Sequence, residues 1–165
     1  MMRHVVSKPI RPMIKEIKGI STNARAETVI TSHSCREPFK KRRYLVAASG
    51  FYEWKRLDPK NKQPFAFDFV NGKMMAFAGL WDAWKDPTNG KWLQSYTIIT
   101  TDANELMAIV HDRLPVILHP DFDRWLDRDS DPSRPPLDLL RPFPADVRSL
   151  ERRRQRQEQL PRAAE

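Results

Sequence analysis

Glu53 is the side chain whose surroundings in the sequence best suit acid–base chemistry. It lies in the string Gly50-Phe-Tyr-Glu-Trp54, among apolar and aromatic residues. A carboxylate desolvated beside an aromatic ring has its pKa raised toward the range that is useful for proton transfer. In a strand, alternation places Phe51 and Glu53 on one face and Tyr52 and Trp54 on the other. The alternative is a strand glutamate that faces solvent, and the string alone leaves both open.

His111 is the second candidate for proton transfer. It follows Ala108-Ile-Val110 and precedes Asp112 and Arg113, where an apolar helix end gives way to a polar loop. A histidine at such a boundary acts as acid, base or hydrogen-bond donor near neutral pH. A lone histidine is also commonly a structural residue, so this pattern leaves both a catalytic and a structural His111 open.

Cys35 is the only cysteine in the sequence. A single cysteine excludes an internal disulfide and a thiolate-based zinc site, and we expect no metal and no other cofactor. Cys35 and His111 together would make a cysteine-protease pair, although nothing local marks Cys35 as an activated thiol. That hypothesis requires an exposed Cys35.

Positive charge is concentrated in the first part of the chain. Residues 1–62 hold 15 Lys and Arg against 5 Asp and Glu, while the rest of the chain holds 14 against 16. A cluster lies at Arg36, Lys40, Lys41, Arg42 and Arg43. This asymmetry is typical of proteins that bind a polyanion such as nucleic acid, and the alternative is a solvated, solubilising surface.

The length and hydropathy of the chain favour one soluble domain. A chain of 165 residues is long enough for one core and short for two domains. No apolar run approaches the roughly 18 residues that span a bilayer, and Met1–Pro12 has no signal-peptide pattern. We expect a cytoplasmic, monomeric protein.

Short apolar or alternating runs separated by turn residues predict a sheet with few long helices. The predicted strands are Tyr44–Ala47, Phe51–Arg56, Phe65–Val70, Met74–Trp81 and Tyr96–Thr101. Asn71-Gly72 has the residue types of a tight hairpin, which predicts a three-stranded meander over the second to fourth of these strands. Trp92 after the loop at 86–90 predicts a further antiparallel neighbour.

Two short helices and a polar tail follow the predicted sheet. Thr101 or Asp102 is expected to cap a helix that runs to Ile109, and Pro120 to open another that runs to about Asp127. The ordered core is expected to end near Phe143. The segment from Glu151 is too polar to bury a face, which predicts disorder or a frayed helix.

Several separated strings resemble, in order and spacing, the SOS-response-associated peptidase (SRAP) family of abasic-site-processing DNA-repair proteins. Matches that recur in the right order are stronger evidence than any single string. They extend over about residues 18–127, and the main ones are Asn23-Ala-Arg-Ala-Glu-Thr28, Gly50-Phe-Tyr-Glu-Trp54, Gly79-Leu-Trp81 and His111-Asp-Arg-Leu-Pro115.

The resemblance implies a fold class, a substrate and a reaction. The fold would be α+β, a small, partly closed β-barrel or mixed antiparallel sheet surrounded by short helices. The substrate would be single-stranded DNA with abasic sites, met in the DNA damage or SOS response. An amino-terminal cysteine would form a covalent crosslink to the DNA, by lyase-type chemistry at the abasic sugar. A peptidase (hydrolase) activity would expose that cysteine.

The resemblance also implies roles for particular residues. Asn23 would hold the amino terminus, Glu53 would shuttle protons, and His111 would assist ring opening and adduct resolution. The DNA-binding residues would be Arg25, Arg36 and Arg113, which neutralise phosphates, and Trp54, which stacks on bases.

The sequence departs from the family pattern at both ends. Residue 2 is Met where the family has Cys, so the printed sequence has no nucleophile of the family type. A start codon assigned too late, a gene fragment or true catalytic loss would each produce this, and the alternative function is a catalytically dead, single-stranded-DNA-binding remnant. No closing strand is visible after Pro144. We therefore expect an SRAP-like domain at residues 1–144, lacking its amino-terminal part, and a tail at 145–165.

Overall fold

A five-stranded sheet and a three-stranded sheet form the centre of the fold. The computed structural model describes residues 23–70, 72–118, 121–127, 131 and 133–145, and the backbone of Glu151–Arg154. The class is α+β, with a partly open mixed sheet and few short helices, as the sequence analysis expected. No helix in these described ranges is long and apolar enough to cross a membrane.

The larger sheet has the order β1-β6-β5-β2, and β7 also pairs with β6. Its strands are β1 (Asn23–Arg25), β2 (Arg43–Ala48), β5 (Met75–Lys85), β6 (Trp92–Asp102) and β7 (Arg113–Pro115). β1 runs parallel to β6, and the remaining pairs are antiparallel. The predicted antiparallel neighbour that begins at Trp92 is therefore confirmed as β6.

The smaller sheet contains β3 (Phe51–Arg56), β4 (Lys62–Asp68) and β8 (Glu151–Arg154). Its order is β3-β4-β8, with both pairs antiparallel. The predicted meander is wrong, because β5 pairs with β2 and β6 and not with β4. Gly72 does adopt a positive φ of 67°, but the turn carries the chain from one sheet to the other.

The polar segment at Glu151–Arg154 is a strand, so the prediction of disorder or a frayed helix is wrong for these four residues. Its backbone pairs with β4, where Phe65 lies opposite Arg154 and Asp68 lies opposite Glu151. An unpaired strand edge offers hydrogen bonds to any extended backbone, and this outweighs the low strand propensity of a polar run. The rest of the tail lies outside the described residues.

Within the described residues, three short α-helices accompany the sheets: α1 (Arg36–Lys41), α2 (Glu105–Ala108) and α3 (Phe122–Leu126). The cap of α2 is Asn104, and not Thr101 or Asp102 as predicted, because β6 extends through Asp102. The Asn104 Oδ1 accepts the backbone N–H of Met107 at 2.9 Å, and its Nδ2 donates to the carbonyl of Phe143 at 2.8 Å. The same side chain thus fixes both α2 and the segment where the core was predicted to end.

Two cores lie on opposite faces of the larger sheet, because consecutive residues of one strand enter different cores. Ile99 belongs to the first core, with α1 and α3, whereas Ile98 belongs to the second core, with β4 and α2. The main members of the first core are Ala24, Cys35, Phe39, Leu80, Ile99 and Trp125. The main members of the second core are Val46, Phe67, Phe77, Ile98, Met107 and Leu114.

Candidate active site

Glu53 lies on the inward face of β3, directed toward the second core. On the same face of this strand, the Phe51 ring stacks on Phe67 at a centroid distance of 5.1 Å and meets Phe77 edge-on at 5.9 Å. Glu53 itself lies opposite Phe65 in the register of β3 and β4. The alternation predicted from the sequence thus places a half-buried carboxylate beside aromatic rings.

The electrostatics of Glu53 suit a group that exchanges protons. Burial raises its pKa above the ordinary value of 4.5, and the carboxylate of Asp112 raises it further. The positive charge of protonated His111 and the N–H of Trp54, which donates to Oε2 at 3.3 Å, act in the opposite direction. Glu53 and His111 are therefore electrostatic neighbours, although 58 residues separate them in the chain.

The end of α2 positions His111. The backbone N–H of His111 donates to the carbonyl of Met107 at 2.9 Å, which closes the last turn after the helix. Its ring Nδ1 accepts the backbone N–H of Arg113 at 3.0 Å and lies 3.2 Å from Oδ1 of Asp112.

The two contacts of Nδ1 require different protonation states. An N–H donor needs a lone pair on Nδ1, while a carboxylate needs a proton there. The Arg113 N–H is part of the ordered backbone, whereas the Asp112 side chain is 85% exposed and screened by water. The hydrogen bond from the Arg113 N–H therefore determines the tautomer of His111, and it leaves the ring proton of neutral His111 on Nε2.

Arg113 is engaged in ion pairs within the protein. Its Nη1 and Nη2 bind the two carboxylate oxygens of Glu27 at 2.9 and 3.0 Å, a two-pronged geometry. Nη1 also donates to Asp102 at 2.8 Å, and Nη2 donates to the carbonyl of Thr100 at 2.7 Å. Phosphate binding by Arg113 remains a prediction, and a phosphate would share this guanidinium with two carboxylates.

Asn23 and Arg25 lie on the face of the larger sheet that is directed toward the second core. Ala24 between them is buried in the first core, so alternation directs its neighbours to the other face. Parallel pairing sets Asn23 opposite Ile98 and Arg25 opposite Thr100. Arg25 is exposed and adds positive charge near Glu27. The roles of both residues remain predictions.

Trp54 and Arg36 do not share the Glu53 face. Alternation along β3 directs Trp54, which is 41% exposed, to the opposite side of the strand from Glu53. Arg36 begins α1, which packs through Phe39 against the first core, on the far side of the larger sheet. DNA contact by either residue remains a prediction, and for Arg36 it needs a strand of DNA that passes over that far layer.

The cysteine-protease hypothesis is wrong, because Cys35 is buried. Its side chain belongs to the first core, whereas His111 adjoins the second core on the other face of the sheet. A nucleophile must reach its base and its substrate, and Cys35 does neither. It is a small residue of the first core.

The basic cluster at residues 36–43 is partly used inside the fold. Arg43 donates to the backbone carbonyls of Trp125 at 2.8 Å and Asp127 at 2.6 Å, and to those of Phe39 and Lys40 at 3.0 Å. Arg42 pairs with Asp82 at 3.2 Å. Arg43 ties α1, β2 and α3 together, and Arg42 joins the end of α1 to β5, so these two charges contribute less to a polyanion-binding surface than the sequence pattern suggests.

Sequence reasoning missed the acidic partners of the site. Glu27 lies inside one of the family strings, but its role as the anchor of Arg113 depends on residues 86 positions apart. Asp102 was considered only as a helix cap, and Asp112 only as the residue that follows His111. Within the described ranges, no three His, Cys, Asp or Glu side chains are grouped so that they could hold a metal ion.

Comparisons with known proteins agree with the family resemblance of the sequence strings. The profile of the SOS response associated peptidase (SRAP) family matches residues 10–155. The abasic site processing protein YoqW of Bacillus subtilis is 45% identical over 126 residues, which cover 75% of this chain and 55% of that protein. The abasic site processing protein HMCES of Gallus gallus is 34% identical over 143 residues, which cover 74% of this chain and 42% of that protein.

Solved structures show the same fold. The crystal structure of a protein from Bacteroides thetaiotaomicron matches with a TM-score of 0.72 at 31% identity, covering 83% of this chain and 59% of that one. A phage-related protein from Bordetella bronchiseptica matches with a TM-score of 0.67 at 29% identity, covering 92% and 68%. The chain spans about half the length of the curated relatives that it matches. With the family profile matching residues 10–155, the chain belongs to the SOS response associated peptidase (SRAP) family.

Proposed function

We propose that this chain processes abasic sites in single-stranded DNA, with Glu53 and His111 as the groups that move protons. The observation that carries the proposal is the half-buried Glu53 carboxylate, whose pKa is raised by burial and which interacts electrostatically with His111. Relatives that are named abasic site processing proteins support the choice of substrate. A carboxyl group with a raised pKa and a neighbouring imidazole suit reactions in which an oxygen must gain and lose a proton near neutral pH.

The proposed reaction takes place at the aldehyde of the ring-opened abasic sugar. An α-amine attacks the aldehyde carbon, and the resulting hydroxyl leaves as water after it takes a proton from Glu53. The nitrogen then returns a proton to the Glu53 carboxylate, which gives an imine. A thiol on the same residue then adds to the imine carbon, and the nitrogen takes up a proton, which closes a thiazolidine. Nε2–H of His111 donates a hydrogen bond to the sugar oxygen during ring opening. Positioning both nucleophiles on one residue makes the second step intramolecular.

The covalent step requires an amino-terminal cysteine, which the printed sequence does not carry. Its second residue is Met, and its one cysteine, Cys35, is internal and buried. We propose that the peptidase activity in the family name corresponds to the removal of residues in front of such a cysteine, with the same Glu53 and His111 as proton donor and acceptor.

The test compares matched versions of the chain on single-stranded DNA that carries one abasic site. A version preceded by Met-Cys-Gly is expected to give a denaturation-resistant, mobility-shifted band. Glu53→Gln and His111→Gln in that version are expected to slow band formation by about 10²-fold, the usual lower scale for loss of general acid–base catalysis. Glu37→Gln is the control, because Glu37 is an exposed carboxylate on α1 that pairs with Lys40.

Band formation at the same rate in all four proteins would contradict the assignment of Glu53 and His111. A chain that binds single-stranded DNA tightly but gives no band, even with the added cysteine, would instead support the non-catalytic binding function.

A further inference from the structure

Nδ1 of His111 lies within reach of two groups that favour opposite states of the ring. The backbone N–H of Arg113, at 3.0 Å, favours the neutral ring with its proton on Nε2. The carboxylate of Asp112, at 3.2 Å, favours a proton on Nδ1. The geometry of residue 113 therefore controls which nitrogen of His111 presents a proton, and which presents a lone pair, to its surroundings.

The side chain of Arg113 adds several contacts to the strand pairing that holds its backbone. Arg113 lies at the first position of β7, a strand of three residues, where backbone pairing holds it only to Asp102. The Arg113 side chain is 15% exposed, and its guanidinium is held by Glu27 through two hydrogen bonds, with further bonds to Asp102 and Thr100. The Arg113 hydrogen bonds lower the pKa of Glu27, as expected for a carboxylate that is stabilised in its ionised form.

Glu27 also connects two parts of the site. It lies in the short 3-10 helix Ala26–Thr28, directly after β1, which carries Asn23 and Arg25. Arg113 follows the loop of His111. The Glu27–Arg113 pair thus joins the segment that contains the predicted terminus-holding residue to the segment that contains the predicted acid–base residue.

We infer that Glu27 is a positioning residue: by anchoring Arg113, it keeps the Arg113 N–H on Nδ1 of His111 and so holds the His111 proton on Nε2. When the anchor is loosened, the ring is released toward Asp112 and the proton moves to Nδ1. The consequence for catalysis rests on the proposed function, because a ring with its proton on Nδ1 offers a lone pair at Nε2 in place of a donor. The tautomer itself does not depend on that function.

The experiment reads the ring nitrogens of His111 directly by long-range ¹H–¹⁵N correlation NMR of the chain without DNA. It is carried out at about pH 8, where ordinary imidazoles are neutral. The sequence has four histidines, so the His111 signals are assigned by their loss in His111→Gln. The test variant is Glu27→Gln, and the matched control is Glu37→Gln, an equal loss of charge on α1.

We expect the wild-type chain and Glu37→Gln to show His111 protonated on Nε2. Glu27→Gln should at least double the population protonated on Nδ1, and adding Asp112→Asn to Glu27→Gln should reverse that gain, because the negative charge that favours a proton on Nδ1 is then gone. A wild-type ring protonated on Nδ1 would overturn the inference without any variant, which covers the case of a variant that fails to fold.

A folded Glu27→Gln chain with an unchanged His111 tautomer would also overturn it. The spectra contain no substrate, so failure of the proposed function is seen separately, as absence of the covalent band. A shifted tautomer with undiminished band formation counts against the role proposed for Nε2 and supports the positioning role of Glu27.

Discussion

The ring of Tyr44 lies directly over Gly79, its partner in the register of β2 and β5. A Cβ added at residue 79 would lie 2.5 Å from Cε1 of Tyr44, closer than any real contact. The Tyr44 ring cannot retreat easily, since it also packs edge-on against Tyr96 at 5.9 Å. The glycine of the Gly79-Leu-Trp81 string is therefore required by an aromatic ring on the neighbouring strand.

Gly79→Ala is expected to lower the free energy of unfolding by about 1–3 kcal/mol, the usual cost of overpacking. The measurement is chemical denaturation of the single variants and of the double variant with Tyr44→Ala. Removing the ring should remove the clash. The double variant is therefore expected to lose less free energy of unfolding than the sum of the losses in the two single variants. Additive costs would show that the ring is not the cause.

Glu53→Gln is expected to stabilise the chain at neutral pH. The pKa of Glu53 is raised in the folded state above 4.5, so the folded state holds the proton more tightly than the unfolded state. That contribution is fully present below pH 4.5 and is lost as pH rises through the folded pKa. Gln resembles the protonated form and cannot ionise. Thermal unfolding should therefore show Glu53→Gln to be more stable than the unaltered chain at about pH 7 and equally stable at about pH 4. A stability gain of equal size at both pH values would contradict this prediction.

Arg43→Met is expected to destabilise the chain by about 2–4 kcal/mol, because it leaves carbonyl groups of four residues without their donor. Lys41→Met is the control, since Lys41 is exposed at the end of α1 and should change stability by no more than about 0.5 kcal/mol. Equal effects of the two variants in urea denaturation would mean that the contacts of Arg43 carry little energy.

Binding to single-stranded DNA is expected to weaken steeply as salt rises, because cationic side chains release counterions from the phosphates. Arg25→Gln should reduce the slope of log K against log salt by roughly 0.7, the value for one phosphate contact on a single strand. Arg36→Gln tests the predicted contact of Arg36, which lies on the far layer of the larger sheet, and it should reduce the slope only if the DNA also passes over that layer. An equal reduction of the slope in both variants would place DNA on both layers of the sheet. A slope near zero in the unaltered chain would reject phosphate binding.

The chain of 165 residues, without an added amino-terminal cysteine, is expected to form no stable crosslink with abasic DNA. Met2 offers only a thioether, and the nitrogen of Cys35 is locked in a peptide bond, so neither residue supplies an amine and a thiol together. The assay is a denaturing gel of the chain incubated with single-stranded abasic DNA. A stable band that disappears in Cys35→Ala would overturn the structural role of Cys35, and one that persists would reveal another amine.

Local patterns in the sequence were enough to predict several elements. β3 has the predicted bounds Phe51–Arg56, and alternation alone placed Glu53 on the same face as Phe51, although it did not say that this face is the inward one. The turn at Gly72 is also local, since it depends on a backbone conformation that glycine adopts readily. These features depend on near neighbours in the chain, and propensity and periodicity report on near neighbours.

Long-range pairing was decided only by the tertiary structure. The turn at Gly72 does not say which strand β5 joins, and nothing in a polar run indicates that Glu151–Arg154 will complete the edge of β4. The free energy of such pairing comes from hydrogen bonds and burial between distant segments, which the sequence of neither segment contains.

The same division applies to the candidate site. The sequence singled out Glu53, His111 and Arg113 by residue type and by family resemblance, but it did not show that Glu27 holds Arg113 or that Arg43 is used inside the fold. A guanidinium is equally able to bind a phosphate, a carboxylate or a backbone carbonyl. Which of these it meets depends on what the fold brings within about 3 Å of it, and only the packed structure determines that distance.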